Sequence, residues 1–176
     1  GPSTGLPTKT EQSDLHQAVF GRNADTPLAV IAARSPGDCF NTAIEAARIA
    51  TKYMTPVILL ADGYMANASE PWLIPDVADV EEFKVNFHTE TKGFYPFQRN
   101  EKTLARSWAI PGTKGLEHRI GGIEKQNITG NVNYEPDNHQ EMTDTRYQKI
   151  QNIADEIDPT SVYGKKNGDL LIPSWG

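Results

Sequence analysis

Cysteine is nearly absent from this chain, and its scarcity excludes several kinds of site. The only cysteine among the 176 residues is Cys39. One cysteine cannot form an internal disulfide, and it cannot supply the thiolates of a zinc or iron–sulfur site. His16, His88 and His139 share no ligand spacing, so we expect no metal bound by this chain. The composition therefore indicates a reducing compartment, and we expect a cytoplasmic protein.

Long apolar runs and excess positive charge are also missing. Apolar residues make up 38% of the chain, and its 23 acidic residues outnumber its 17 lysines and arginines, giving a formal net charge of −6. No run approaches the about 20 apolar residues of a membrane-spanning helix. No signal-peptide pattern opens the sequence. We therefore expect neither a membrane nor a nucleic acid as partner, since both attract basic proteins.

Two apolar runs and the helix between them predict a parallel βαβ unit of an α/β fold. Residues 27–33 and 56–61 are short, apolar and β-branched, which favours strands buried on both faces. The motif Ser35-Pro36-Gly37-Asp38 is typical of a helix start, with serine as the cap and aspartate three residues later. We expect Glu45, Arg48 and Lys52 of this helix to face outward, opposite one apolar stripe formed by Phe40, Ala43, Ile44, Ala47 and Met54.

Three further segments are expected to be regular. Residues 13–20 predict a short helix that ends at Gly21, and residues 142–157 carry a helical stripe that ends before Pro159. Residues 169–172 predict a buried strand. A buried strand needs neighbours, and the opening loop lacks the strand expected before it. We therefore expect the sequence to be a fragment of a longer protein.

The stretch from residue 69 to residue 135 is rich in proline and glycine and has no long periodic pattern. Irregular connections of more than about 15 residues are uncommon inside a compact domain. Two explanations stay open for its aromatic residues: they face a neighbouring chain, or they form a small local core. These residues are Trp72, Phe94, Tyr95, Phe97 and Trp108.

The opening segment, residues 1–15, combines glycines, prolines and hydroxyl residues with one lysine, ahead of the first predicted helix. Glycine relaxes the backbone and proline restricts it, so such a cluster specifies a particular loop path. Backbone amides and hydroxyls in front of a helix form a ready anion site, to which Lys9 adds a positive charge. The alternative interpretation is a solvated arm with ordinary turn chemistry.

Six motifs follow one another along the chain. They are residues 1–15, Ser35-Pro-Gly-Asp-Cys-Phe40, Ala61-Asp-Gly-Tyr64, Ser69-Glu-Pro-Trp72, Gly115-Leu-Glu-His-Arg119 and Tyr134-Glu-Pro-Asp-Asn-His139. In content and order they resemble the α subunit of the 2-oxoacid:ferredoxin (acceptor) oxidoreductases. The likeness is strongest to the 2-oxoglutarate synthase branch, and it covers essentially the whole chain.

This resemblance implies thiamine diphosphate chemistry. Enzymes of this kind decarboxylate 2-oxoglutarate oxidatively with coenzyme A (CoA), giving succinyl-CoA, CO2 and reduced ferredoxin. The resemblance further implies a β subunit as partner, which carries Mg2+ and an iron–sulfur cluster. Two alternatives stay open: the same chemistry on pyruvate or branched-chain 2-oxoacids, and a non-catalytic module that docks the β subunit.

The resemblance also implies a division into domains. Residues 1–75 are expected to be the C-terminal half of a pyrimidine-binding domain, and residues 76–160 an inter-domain linker with a terminal helix. Residues 161–176 are expected to be the first strand of a transketolase C-terminal-like domain. The glutamate that activates the cofactor lies upstream in the full subunit of this family. We therefore expect no catalytic residue within this sequence and no activity from this chain alone.

The candidate site residues follow from the same resemblance. The carboxylate of a 2-oxoacid needs cationic and hydroxyl donors beside the reactive carbonyl. The local candidates are Lys9, Ser3 and Thr4, although the two hydroxyl residues could instead only cap the loop. His118 and Arg119 are candidates for a contact with substrate, CoA or the β subunit. Their alternative role is a salt-bridged turn that holds the linker in place.

Overall fold

A computed structural model describes residues 12–23, 25–80 and 82–173. Its regular elements are α1 (Ser13–Phe20), β1 (Ala29–Ala32), α2 (Asp38–Tyr53), β2 (Val57–Leu60), α3 (Gly63–Asn67) and α4 (Pro136–Ile153). Short 3-10 helices lie at Val77–Asp79 and Ala154–Glu156. Within the described residues, no helix combines the length and the apolar character needed to cross a membrane.

β1 and β2 form a parallel two-stranded sheet joined by α2, which confirms the predicted βαβ unit and the α/β class. The register runs from Ala29 opposite Val57 to Ala32 opposite Leu60. Parallel strands need a crossover of this kind because the end of the first strand and the beginning of the second lie at opposite edges of the sheet. The two carboxyl ends of the strands consequently lie side by side.

The predicted capping motif is formed in part. The backbone N–H of Asp38, the first residue of α2, donates to the Ser35 hydroxyl at 3.3 Å, as expected of a serine cap. The Asp38 carboxylate accepts from the backbone N–H of Arg34 at 3.1 Å, one residue before the predicted partner Ser35. The residue directly before the helix is Gly37, which has no side chain to act as a cap.

The core lies between α2 and α4, and it corrects the predicted orientation of α2. Ile49 and Tyr53 are fully buried and pack with Ile153 of α4. At about 100° per residue these two side chains lie on the face opposite to Phe40. Most of the predicted apolar stripe is exposed, including Phe40, Ala43 and Ala47. The prediction was wrong because α2 is apolar on both faces, and the face that carries Ile49 and Tyr53 is the one covered by Ala29 and Val57 of the strands and by Ile150 and Ile153 of α4.

The remaining elements agree with the sequence in part. α1 has the predicted bounds, and α4 extends the predicted helical stripe backwards to Pro136. The strand predicted at 169–172 is not formed: Leu170, Leu171 and Ile172 are 80%, 69% and 75% exposed. A buried strand requires a partner strand, and none lies beside this segment within the described residues. The domain that this strand was expected to open stays a prediction.

The segment from 80 to 135 is ordered by turns and isolated bridges instead of long elements, as its composition predicts. Single bridges join Phe97 to Ile128 and Phe87 to Trp108. The Trp108 indole N–H donates to the carbonyl of Thr51 at 2.9 Å and so ties the segment to α2. Phe97 and Trp108 are half-buried, as a small local core requires, whereas Trp72 and Tyr95 are 46% and 49% exposed. That the exposed rings face a neighbouring chain stays a prediction.

We predict that Ile49→Ala lowers the free energy of unfolding by about 2 to 5 kcal/mol, because it empties a fully buried site. Urea unfolding followed by tryptophan fluorescence measures the change. Ile120→Ala is the matched control, since Ile120 is 74% exposed and its truncation should cost less than about 0.5 kcal/mol. Equal effects of the two substitutions would contradict the assigned core.

Candidate functional site

The carboxyl ends of the two strands form the edge of the sheet at which parallel α/β proteins commonly bind ligands. Arg34 follows β1, and its side chain is 85% exposed. Asp62 follows β2, and its carboxylate accepts from the backbone N–H of Tyr64 at 2.7 Å, which caps α3. The Tyr64 side chain is itself 82% exposed. A cation and a phenol therefore extend from this edge, which we call the carboxyl edge.

Glu70 joins two distant segments at the carboxyl edge. Its Oε1 accepts from the Ser35 hydroxyl at 2.8 Å and from the backbone N–H of Gly37. A carboxylate at the beginning of α2 is also favoured by the helix dipole. Gly37 must lack a side chain, because a Cβ there would lie 2.6 Å from Glu70 Oε1 and 2.8 Å from the Trp72 ring. The motifs at 35–40 and 69–72 thus meet in space.

This contact was not foreseen from the sequence. The motif containing Glu70 was noted, but nothing in its spacing pointed to the helix start 33 residues earlier. The available signal was a lone carboxylate beside a proline and a tryptophan, which is too common to specify a partner. The third motif of the edge, residues 61–64, supplies the capped start of α3.

His118 is used in packing within the linker. Its Nδ1 lies 2.7 Å from the carbonyl of Leu116, so that nitrogen carries a proton and donates it. The ring of Phe94 meets the His118 ring edge-on at 5.5 Å and contacts the ring of His88 at 5.1 Å. The turn that contains His118 is therefore held by contacts among these three rings and by the hydrogen bond to the Leu116 carbonyl. Within the described residues no ion pair involves Arg119, which is exposed.

The other three candidates, Lys9, Ser3 and Thr4, lie outside the described residues. Across the parts of the chain that are described, no three His, Cys, Asp or Glu side chains converge as metal ligands would.

A group of four cations lies between α4 and the irregular segment 82–135, for which alone we use the word linker from here on. This cationic cluster consists of Arg99, Arg106, Arg146 and Lys149. The Lys149 ammonium donates to the carbonyl of Met54, at the end of α2, at 3.3 Å. Burial, followed by repulsion from the three arginines, lowers the pKa of Lys149 to about 8. Burial and the charge of Arg106 likewise lower the pKa of Arg99. No sequence pattern predicted this cluster, because its members come from an irregular segment and from α4.

Arg146 is the one member of the cationic cluster that forms ion pairs among the described residues. It donates to Glu124 at 3.2 Å and to Asp25 at 2.9 Å, and so joins α4 to the linker and to the loop after α1. The hydrogen bond from Arg146 is the main reason that the pKa of Asp25 is below its ordinary value. These bonds fix the position of α4 beside the linker.

The sequence matches one known protein family over most of its length. The family described as pyruvate flavodoxin/ferredoxin oxidoreductase, thiamine diphosphate-binding, matches residues 1–135. The chain belongs to this family. The match confirms the relationship that the six motifs indicated, and it includes all three motifs of the carboxyl edge.

Individual relatives agree with this assignment. The 2-oxoglutarate oxidoreductase subunit KorA of Mycobacterium tuberculosis is 54% identical over 100% of this chain and 27% of its own length. The 2-oxoacid:ferredoxin oxidoreductase 1 subunit alpha of Aeropyrum pernix is 30% identical over 100% of this chain and 28% of its own length. The chain therefore spans little more than a quarter of these relatives.

A solved structure shares the fold. It is the 2-oxoglutarate:ferredoxin oxidoreductase from Magnetococcus marinus with 2-oxoglutarate, CoA and succinyl-CoA bound. It superimposes with a TM-score of 0.83 at 32% identity, over 94% of this chain and 29% of that chain. The agreement therefore extends well beyond the two-stranded sheet.

The lowered pKa of Lys149 predicts a pH-dependent stability. An unfolded lysine binds its proton up to its ordinary pKa of 10.5, whereas folded Lys149 releases it near 8. Between these values the unfolded state binds more protons, so the free energy of unfolding rises with pH. We expect this rise in urea unfolding at pH 7.5, 8.5 and 9.5, and we expect Lys149→Met to remove it.

The measurement should stay below pH 10, because Tyr53 acts in the opposite direction above that value. Burial raises the pKa of Tyr53 from 10.0 to about 12, so the folded state opposes its ionisation. Lys92→Met is the control, since Lys92 is exposed in a turn. An unchanged slope in the Lys149→Met variant would contradict the assignment.

Proposed function

We propose that this chain is part of the α subunit of a thiamine diphosphate-dependent 2-oxoglutarate:ferredoxin oxidoreductase. The reaction converts 2-oxoglutarate and CoA to succinyl-CoA and CO2, with two electrons passed to ferredoxin. The observation that carries the proposal is the 54% identity, over 100% of the chain, to a subunit named for 2-oxoglutarate. A subunit named for 2-oxoacids in general is only 30% identical over the same extent.

The carboxyl edge supports a cofactor bound at this end of the sheet. Thiamine diphosphate supplies a carbon nucleophile for the carbonyl of a 2-oxoacid. The edge brings together three of the six family motifs, and Arg34 and Tyr64 extend from it with their polar groups exposed. A strand edge with exposed donors beside capped helix starts fits an anionic, aromatic ligand. We propose that these two side chains border the cofactor or substrate.

We further propose that Mg2+ and the iron–sulfur cluster belong to a partner β subunit, with ferredoxin as the electron acceptor. The support comes from composition, because the single Cys39 cannot provide the thiolates that such clusters require. Arg119 is exposed and has no ion pair within the described part of the chain, which suits a contact with the β subunit. His118 would then position the turn that carries Arg119.

The remaining expectations become part of this proposal. Lys9 would bind the 2-oxoacid carboxylate, with Ser3 and Thr4 as hydroxyl donors. Residues 1–75 would complete a pyrimidine-binding domain, residues 76–160 would link domains, and residues 161–176 would open a transketolase C-terminal-like domain. An enzyme of this composition is expected in the cytoplasm, where ferredoxin is reduced.

The substrate can be tested directly with the full-length subunit co-expressed with its β subunit. We expect the complex to reduce methyl viologen with 2-oxoglutarate and CoA, and to do so at least about tenfold faster than with pyruvate or a branched-chain 2-oxoacid. That preference would correspond to about 1.4 kcal/mol between transition states. Turnover of pyruvate alone would assign the alternative substrate. A folded complex that turns over no 2-oxoacid would favour the alternative that this chain is a non-catalytic module that docks the β subunit.

The role of Lys9 has a separate test in the same complex. Lys9→Gln removes one charge-assisted hydrogen bond, which is typically worth about 1.5 to 3 kcal/mol. We expect KM for 2-oxoglutarate to rise by about tenfold or more, with a smaller change in the KM for CoA. Lys92→Gln, the same substitution at an exposed turn, should leave both constants unchanged. If both variants match the wild type, Lys9 is not the carboxylate ligand.

A further inference from the structure

An open cleft of about 730 Å3 lies between the end of α2 and the linker. Side chains from three stretches line it: residues 48–52 of α2, residues 82–88, and residues 98–108. Small-molecule sites commonly have volumes of about 300 to 1,000 Å3. The cleft is therefore large enough for an organic ligand. It borders the end of α2 that is remote from the carboxyl edge.

The cleft is strongly basic, although the whole chain has a formal net charge of −6. One carboxylate lines it, that of Glu82, against five permanent cations. The cations are Arg48, Lys52, Lys84, Arg99 and Arg106. Positive charge that is scarce elsewhere is thus concentrated here, and walls of low dielectric strengthen the attraction of such a cleft for anions.

The two walls of the cleft differ in how their charge is balanced. On the α2 side, Arg48 pairs with Glu45 at 2.5 Å, and Arg48 and Lys52 both reach Glu156. Lys84 pairs with Glu82 at 3.6 Å. On the linker side, Arg99 and Arg106 face each other across an isolated bridge. Neither arginine has a carboxylate within ion-pair distance among the described residues. The linker wall therefore carries two positive charges without an ion pair, and only the more distant Glu141 acts on Arg99.

Neutral groups hold the two arginines in place. Arg106 donates to the carbonyl of Pro96 at 3.2 Å and stacks over the ring of Phe97 at 4.5 Å. Arg99 donates to the side-chain oxygen of Asn127 at 2.6 Å. Carbonyl, amide and ring contacts orient a guanidinium without cancelling its charge. Burial lowers the pKa of both arginines, so an anion in the cleft would relieve an unfavourable arrangement.

The wall also contains aromatic rings suited to a planar group. Phe83 is 40% exposed, and Trp108 is held by its hydrogen bond to the carbonyl of Thr51. Rings beside cations are a common combination where nucleotides bind, because a base stacks while its phosphates are paired. The described residues thus offer separate places for charge and for a ring.

We propose that this cleft binds a small ligand bearing a diphosphate or longer phosphate group. A single carboxylate would use only part of a wall with cations on both sides, whereas linked phosphates span them. Arginine forks match phosphate oxygens in pairs of hydrogen bonds. The same chemistry could come from a nucleotide or from a free polyphosphate, and the choice of probe separates the two.

The test is calorimetric titration of the full-length subunit, purified with its β subunit and saturated with thiamine diphosphate and CoA, so that the two diphosphate-bearing ligands of the proposed reaction already occupy their sites. Pyrophosphate and ADP are the probes. Lys84→Gln should weaken pyrophosphate binding by about two- to fivefold, the usual range for an exposed charge. Lys84 is exposed, so this variant should fold. Lys92→Gln, which removes an exposed lysine outside the cleft, should leave the affinity unchanged.

A second variant addresses the linker wall. Arg106→Gln should weaken pyrophosphate binding by about tenfold or more, because its guanidinium is partly buried. Tighter binding of ADP than of pyrophosphate would assign a nucleotide, and equal binding a free polyphosphate. The proposal fails if pyrophosphate binds the wild type and all three variants alike. It also fails if pyrophosphate does not bind the wild type, whether or not a polyglutamate peptide binds. Both readouts are independent of turnover, so they do not depend on the proposed reaction.

Discussion

Burial of Ile49 and Tyr53 between the two strands and α4 is the interaction on which the rest of the structure depends. The sheet has only two short strands among the described residues, so it offers little surface of its own. The C-terminal half of α2 instead receives α4 on one side and the linker on another. Lys149 and Trp108 both donate to carbonyls near the end of α2. The linker is thereby positioned by a helix pair, although it contains no long element.

The two ends of α2 carry opposite charges, and the helix dipole favours that arrangement. At its beginning, Glu70 accepts hydrogen bonds from the capping turn. At its end, Lys52 lies in the last turn, and Lys149 approaches from α4. Anions are favoured at helix beginnings and cations at helix ends, where unpaired amides and carbonyls face them. One helix thus organises the carboxyl edge of the sheet and the basic cleft.

The linker is the part of the chain where sequence patterns carried least information. Its order comes from side chains that meet over long separations, such as the stack of His88, Phe94 and His118. No periodic sequence pattern predicts such ring contacts, because turns set their geometry and not the spacing of a helix or strand. The motif ending in His118 and Arg119 could therefore be recognised as a family feature, while the different burial of its two residues could not be foreseen.

The sequence by itself determined the βαβ unit, the capped start of α2, α1 and the family. Each depends on local order: apolar runs, a capping motif, and motifs in a set succession. Only the tertiary structure decided which face of α2 is buried, because both faces are apolar and one of them is covered by the two strands and α4. It likewise brought Glu70 to Ser35 and assembled the cationic cluster. These contacts join residues far apart in the chain, and their energy depends on burial that no local pattern encodes.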